Sequence, residues 1–284
     1  MKVWINGELV DKQDARISVF DHAVLYGEGV FEGIRVYGGK AFRCTQHVDR
    51  LFDSARSIRL AVPVTKQEII EAVDKTVAVN GTVEGYVRLV VTRGEGTLGL
   101  DPYECSDPTV FIIAGDIALY PPEMYEKGMA VIIAKTRRMS ADMLPPSTKS
   151  LNYLNNILAK IEAIDAGVAE AIMLNAAGDV AEATGDNVFI VRDGAVFTPP
   201  PEAGILVGIT RGVVIKLAAE LGIPLKQQRI SVEQLCAADE CFLTGTAAEV
   251  IAVTKVDDHI IGNGKAGVIT NRLLEAFRKL ISGH

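Results

Sequence analysis

The sequence predicts an α+β fold in two domains, and three observations predict it. Strand-like and helix-like hydrophobic periods alternate along the chain. Its 284 residues suffice for one large domain or two smaller ones, and Pro121-Pro122 interrupts the pattern before its midpoint. The expected division is a small N-terminal domain over 1–118, a linker over 119–128 and a larger domain over 129–284.

Residues 3–10 alternate around Asn6-Gly7, a dipeptide that tolerates positive φ at both central turn positions, so the chain opens with a β-hairpin. Strand-like runs follow at 30–37, 40–44, 85–93 and 109–116, while 46–60 and 66–80 space their apolar residues as helices do. Proline neither donates to a ladder nor continues a helix, which puts the linker at 119–128. Beyond it, Leu151, Leu154, Leu158 and Ile161 line one helical face, widened by Ile157 and Ile164 and stopped at Gly167. Lys149 stands at the entrance of that helix. Arg192-Asp193-Gly194 turns a strand at 187–191 into another at 195–198, and Thr210 to Leu221 forms a helix closed by Gly222 and Pro224. Asp239 to Thr244 is a strand, Gly245-Thr246-Ala247-Ala248 a small-residue loop whose amides can face a ligand, and Gly267 to Ile281 the last helix.

Lys plus Arg total 29 against 36 Asp plus Glu, and a net charge of −7 offers no general attraction for nucleic acid. A small-molecule partner is expected instead. Cys44, Cys105, Cys236 and Cys241 form no Cys-x-x-Cys pair and have no accompanying histidine cluster, so they read as reduced thiols suited to the cytosol. His22, His47, His259 and His284 lack ligand spacing, and no metal is expected. With no run of about eighteen apolar residues and no signal-peptide core after Met-Lys-Val-Trp, the chain reads as soluble and cytoplasmic. Gly94-Glu95-Gly96-Thr97-Leu98-Gly99 matches a dinucleotide loop, but Pro102 and Pro108 follow where such a loop must open a helix; it reads as an active-site loop.

The chemistry concentrates in three places. Glu182 opens Glu-Ala-Thr-Gly-Asp-Asn-Val-Phe, Gly208 precedes a helix in Leu-Val-Gly-Ile-Thr-Arg, and Lys149 lies in Ser-Thr-Lys-Ser-Leu-Asn-Tyr. Taken singly, Lys149 is a solvated surface charge and Glu182 a strand-end carboxylate. Together, an amine nucleophile, an acid and a phosphate-sized nest of amides suit pyridoxal 5'-phosphate. Desolvation between Ser147-Thr148 and the apolar helix is expected to lower the lysine pKa, as a proton-shuttling amine requires.

The pattern resembles the class IV (fold type IV) pyridoxal-phosphate aminotransferases through Glu182, Asn187, Val188, Phe189, Val196, Thr198, Leu206, Gly208, Ile209 and Arg211. Trp-Ile-Asn-Gly-Glu near the start and Leu-Tyr-Gly-Glu-Gly-Val-Phe-Glu-Gly-Ile-Arg at 25–35 extend the resemblance nearly end to end, and it looks nearest to the branched-chain amino acid aminotransferases. It implies a small α/β sandwich domain, a larger pseudo-barrel domain and a homo-oligomer, a dimer or more, with shared active sites. It makes Lys149 the catalytic residue, releasing the cofactor to the amino substrate and then carrying the α-proton. It gives Glu182 the ring nitrogen with Asn187 beside it, and Tyr153, one turn along the helix, the phenolic oxygen. Gly208 with the amides of Ile209 and Thr210, the loop at Gly245 and Thr246, and Arg50 would take the phosphate. By residue type alone, Arg50 belongs equally to a solvated basic face with Arg56 and Arg59.

For substrate, the resemblance gives Arg88 of Tyr86-Val87-Arg88 the distal carboxylate of glutamate and Tyr86 the α-carboxylate, both on one strand face. The amides of Thr246 and Ala247 would hold the α-carboxylate too. Tyr26, Phe31 and Gly33, with Leu98 and Leu100 from a partner subunit, would form the pocket for Leu, Ile or Val. Two departures are visible: Leu89 stands where branched-chain enzymes often have proline, followed by a Val-Val-Thr-Arg-Gly stretch like that of D-amino acid aminotransferases, and the only tryptophan is Trp4, so the one that some relatives place near the domain linker is missing. D-amino acid or amine transamination, aminodeoxychorismate lysis, and cofactor binding without catalysis are the rival readings.

Overall fold

The computed structural model describes residues 1–117 and 120–283; Leu119 of the expected linker and His284 lie outside the described residues. Packing divides the chain into two compact units, the first made of Met1–Ile117 together with Thr148–Asn152 and the second of the remaining described chain. The expected boundary therefore needs one correction, because 148–152 pairs with the first unit's sheet.

In the first unit β1 (Lys2–Ile5) and β2 (Glu8–Asp11) form the opening hairpin, with Asn6 at φ 45° and Gly7 at φ 101° as the turn requires. A short α1 (His22–Tyr26) precedes β3 (Gly29–Tyr37) and β4 (Lys40–Ala41). β4 is shorter than expected because Arg43, at φ 56°, already turns the chain into α2 (Cys44–Ser57). Thr65 and Glu68 build a reciprocal cap on α3 (Lys66–Val79), and β5 (Gly85–Thr92) and β6 (Val110–Gly115) complete an antiparallel sheet of order β2-β1-β6-β5-β3-β4. Alternation decides its two faces. Val30, Ile34, Val87 and Leu89 bury against Val48 and Leu51 of α2 and Ile69 and Val73 of α3, whereas Phe31, Gly33 and Arg35, with their cross-strand partners Val90, Arg88 and Tyr86, take the opposite face. After the glycine-rich loop comes a single 3-10 turn at Pro102–Glu104, not a helix.

The lysine segment departs from expectation. Phe31 N–H donates to the Lys149 carbonyl at 3.0 Å and Leu151 N–H to the Gly29 carbonyl at 2.9 Å, so 149–151 is held against β3 by a single antiparallel bridge between Val30 and Ser150.

In the second unit Pro122 does not extend a linker but occupies the first turn of α4 (Pro122–Lys127). Its missing N–H is unused there, and its fixed φ suits helix entry. Then follow β7 (Met129–Ile133), α5 (Leu154–Asp165), β8 (Glu170–Leu174), β9 (Val180–Ala183), β10 (Asn187–Arg192), β11 (Ala195–Thr198), α6 (Ile209–Glu220), β12 (Leu225–Gln227), α7 (Val232–Cys236), β13 (Glu240–Gly245), β14 (Glu249–Val256), β15 (His259–Ile260) and α8 (Val268–Ser282). Positive φ at Asp193 and Gly194 makes the β10–β11 turn. The sheet runs β12-β11-β10-β13-β14-β7-β8-β9, and β9 pairs back on β10 through Glu182 and Asn187. Six strands thereby close into a ring filled by Ile172, Val180, Val188, Leu243, Ile251 and Val253, the expected pseudo-barrel.

Two expectations about α5 change. It starts at Leu154, leaving Tyr153 as its N-cap residue rather than a position one turn inside. Its buried residues are Asn156, Ala159 and Ala163, while the apolar stripe faces outward, with Leu154 66% and Ile164 63% exposed.

Candidate active site

In the first unit Lys149 lies half-buried with its Nζ 4.5 Å from the centre of the Phe31 ring. The Arg88 guanidinium carbon is also 4.5 Å from that centre and 5.6 Å from the Tyr86 ring. Two cations thus share one aromatic platform, no further apart than twice that distance, and together they attract carboxylates. Tyr86 reaches across β3 only because residue 33 has no side chain; a Cβ there would lie 1.7 Å from the Tyr86 hydroxyl. α2 supports the lysine segment from its polar side: the Ser54 hydroxyl accepts Lys149 N–H at 3.1 Å, and Ser57 shares a 2.7 Å hydroxyl contact with Thr148.

Arg50 does not belong to a solvated face. Its side chain is 15% exposed against 75% for Arg56, and its Nε and Nη2 donate to Glu32 at 2.7 and 2.8 Å. Tyr26 donates to the carbonyl of Leu98 in its own chain, and Leu98 and Leu100 project into solvent at 72% and 79% exposure.

In the second unit the barrel closure puts Glu182 opposite Asn187. Glu182 Oε2 accepts from Leu206 N–H at 2.9 Å and from Asn187 Nδ2 at 3.3 Å, and Oε1 pairs with Arg138 at 2.8 Å. A cation and two donors thus surround a buried carboxylate. Asn187 also donates to the Leu206 carbonyl at 2.9 Å. It packs so closely on Gly208 that a Cβ at that position would meet its Oδ1 at 2.1 Å. Gly208 is the N-cap of α6, with neither a side-chain cap nor an acid in the first turn, so the positive helix end at Ile209 and Thr210 is left for an anion. Gly245, Thr246 and Ala247 join β13 to β14. Next to this loop the buried Thr244 hydroxyl has no hydrogen-bond partner. Gly245 is irreplaceable for packing too, since a Cβ would sit 1.8 Å from Asp186 Oδ1.

Several groups escaped sequence reasoning. Arg138 belongs to no motif, and only Arg137-Arg138 in a polar stretch hints at it. Tyr120, Glu170 and Asp186 form a buried cluster in which the tyrosine hydroxyl lies 3.4 Å from each carboxylate. Burial, with the Glu170 charge beside it, pushes the Asp186 carboxyl up to about 7. Arg211, a signature residue, is engaged internally by the Pro199 carbonyl and Gln227. Against the expectation that the cysteines lack histidine company, His22, Glu28 and Cys105 bring ligand-type atoms within 4.8 Å of one another. The His22 nitrogens already meet Glu28 and the Thr97 carbonyl, however, and Arg93 occupies Glu28. A 610 Å³ cavity lined by Trp4, Pro63, Glu68 and Lys75 holds none of the candidate groups.

The second unit thus carries a buried, cation-held acid, a bare helix end cradled by glycine and a buried Thr244 hydroxyl, and the first unit carries a lysine over an aromatic ring. The amino-transferase class IV family model matches residues 29–256, and the chain belongs to that family, with its type IV fold. It is 50% identical to a protein of Methanocaldococcus jannaschii over 99% of this chain and 96% of that one. Among solved structures it is similar to the Escherichia coli branched-chain amino acid aminotransferase, at TM-score 0.96 and 38% identity over 99% and 95% of the two chains. A second branched-chain amino acid aminotransferase, that of T.th., complexed with N-(5'-phosphopyridoxyl)-L-glutamate, matches at TM-score 0.94 and 38% identity, over 99% and 94%.

Proposed function

We propose that this chain is a pyridoxal-phosphate-dependent branched-chain amino acid aminotransferase, moving the amino group of Leu, Ile or Val to 2-oxoglutarate to give branched-chain 2-oxo acids and L-glutamate. The observation that carries this reading is the pair of cations, Lys149 and Arg88, on the Phe31 ring, in a chain alike from end to end to an enzyme solved with a phosphopyridoxyl-glutamate adduct. When bound, the cofactor withdraws electrons from the substrate α-carbon and stores the amino group between half reactions.

The chain's own residues do the rest. Lys149 is the attachment point and the base that takes and returns the α-proton. Glu182, paired with Arg138, would hold a proton on the ring nitrogen, and Tyr153 and Asn187 would complete the cofactor's polar edge. Gly208, Ile209, Thr210, Gly245, Thr246 and Arg50 take the phosphate. Arg88 and Tyr86 bind substrate carboxylates together with the Thr246 and Ala247 amides, and Tyr26, Phe31 and Gly33, with Leu98 and Leu100 from a second copy, shape the aliphatic pocket.

The departures noted in the sequence do not favour another donor. Leu89 is fully buried on the helix-facing side of the sheet, and Arg93 is consumed by Glu28 and the carbonyls of Ile58 and Arg59. The solvent-facing leucines and the α5 stripe support a homodimer or larger homo-oligomer. No described helix is long and apolar enough to cross a membrane, and all four cysteines are free; with the acidic composition these support a cytoplasmic protein. A matrix of amino donors and oxo acids tests the reading: glutamate with 2-oxoisocaproate should turn over and D-alanine should not. A Lys149→Ala protein should lose the borohydride-trappable cofactor. Turnover of D-alanine in place of glutamate would overturn the substrate assignment.

A further inference from the structure

Glu32 interrupts the apolar row of Val30, Ile34 and Val36 on the face of β3 that packs against the helices. It is fully buried, where an unpaired carboxylate is far costlier than an aliphatic side chain. That cost is offset by α2. His47 and Arg50, three residues apart and so on one helical face, converge on it: His47 Nδ1 lies 2.7 Å from Oε2, while Arg50 Nε donates to Oε1 at 2.7 Å and Nη2 to Oε2 at 2.8 Å. Burial alone would raise the Glu32 pKa, but the Arg50 hydrogen bonds and charge, then those of His47, outweigh it and hold the carboxyl at about 2. His47 is itself pushed down, chiefly by burial, which favours its neutral form beside the carboxylate that Arg50 neutralises.

The fork is bidentate, and a bidentate carboxylate fixes the guanidinium plane as well as its position. A carboxylate placed only to neutralise a charge has no need of a second partner. Here His47 takes the Oε2 that Arg50 also uses, which prevents the carboxylate from rotating away. We propose that Glu32 is a positioning residue: locked by His47, it sets the Arg50 guanidinium in the one orientation that receives the cofactor phosphate. The inference rests on the reading that Arg50 binds that phosphate. A prepositioned cation loses little side-chain freedom on binding, and the difference appears as affinity.

Apoprotein titrated with pyridoxal phosphate and with unphosphorylated pyridoxal, followed by cofactor absorbance, tests this. In Glu32→Gln the amide NH₂ must face a donor, so at least one of the three bonds is lost. Binding of pyridoxal phosphate should weaken by about tenfold or more while pyridoxal binding stays unchanged, and Glu32→Gln added to Arg50→Ala should have no further effect. Equal weakening of both ligands would mean that Glu32 only supports the fold, and the inference falls. Unchanged phosphate affinity in Glu32→Gln, with Arg50→Ala weakened, likewise overturns it and spares the phosphate reading. Unchanged affinity in Arg50→Ala removes that reading itself. Apoprotein melting checks folding. Should Glu32→Gln fail it, Glu32→Asp keeps the charge but withdraws the carboxylate by one methylene, and it too must lose phosphate-selective affinity or the inference fails.

Discussion

Replacing Asp186 by Asn should make the protein's stability less sensitive to alkali. Asp186 is buried at the end of the turn between β9 and β10, with Tyr120 Oη 3.4 Å from its Oδ2 and Gly245 packed on its Oδ1. Its carboxyl is raised from 3.8 to about 7, first by burial and then by Glu170. A raised carboxyl pKa means that the folded state binds the proton more tightly than the unfolded chain. Its contribution is therefore fully present below pH 3.8 and declines as pH climbs to about 7. At roughly 1.4 kcal/mol per unit, the whole span is about 4 kcal/mol, of which about 2 is lost between about pH 5.5 and 8.5. Asn is isosteric and cannot ionise, so the variant should not suffer this loss. Urea unfolding of wild-type and Asp186→Asn apoproteins across that range reads the effect of Asp186 together with its coupling to Glu170. The gap in stability should widen in the variant's favour by about 2 kcal/mol toward high pH. Parallel profiles would refute a proton held at Asp186.

Gly33→Ala puts a methyl 1.7 Å from the Tyr86 hydroxyl. The ring must leave its place at a cost of about 1–3 kcal/mol, seen as a lower melting temperature together with a higher KM for 2-oxoglutarate. Arg88→Ala should raise KM for glutamate and 2-oxoglutarate by about tenfold or more and leave leucine less affected; equal losses for both would make Arg88 structural or an α-carboxylate ligand. Leu154→Glu with Ile161→Glu charges the exposed α5 stripe, and light scattering should report a smaller assembly. An unchanged mass would remove that face from the proposed interface.

Much of the fold is legible because it is local. Asn6-Gly7 and Asp193-Gly194 specify their turns through positive φ, Thr65 and Glu68 start α3, and a period of two separates Val87 and Leu89 from Tyr86 and Arg88. The signature of Glu182, Asn187 and Gly208 is legible for a related reason: the barrel closure puts Glu182 opposite Asn187, and Asn187 packs on Gly208 within the same short stretch of chain.

What the sequence determined by itself was the class of chemistry, through its signature residues and the family they resemble, and the turns and the two faces of β5, which follow from backbone sterics and hydrophobic period over a few residues. Tertiary structure alone decided the partners. Ser54 meets Lys149 across 95 positions and Asn156 meets Thr184 across 28, and no periodicity encodes such pairings. It alone decided that the lysine segment is bridged to β3, that Glu32 is neutralised by Arg50 with His47 beside it, and that the α5 stripe looks outward. An apolar helical stripe reads the same whether it faces a core or another surface, and a lone acid in a strand reads the same until its counter-charge arrives from elsewhere in the chain.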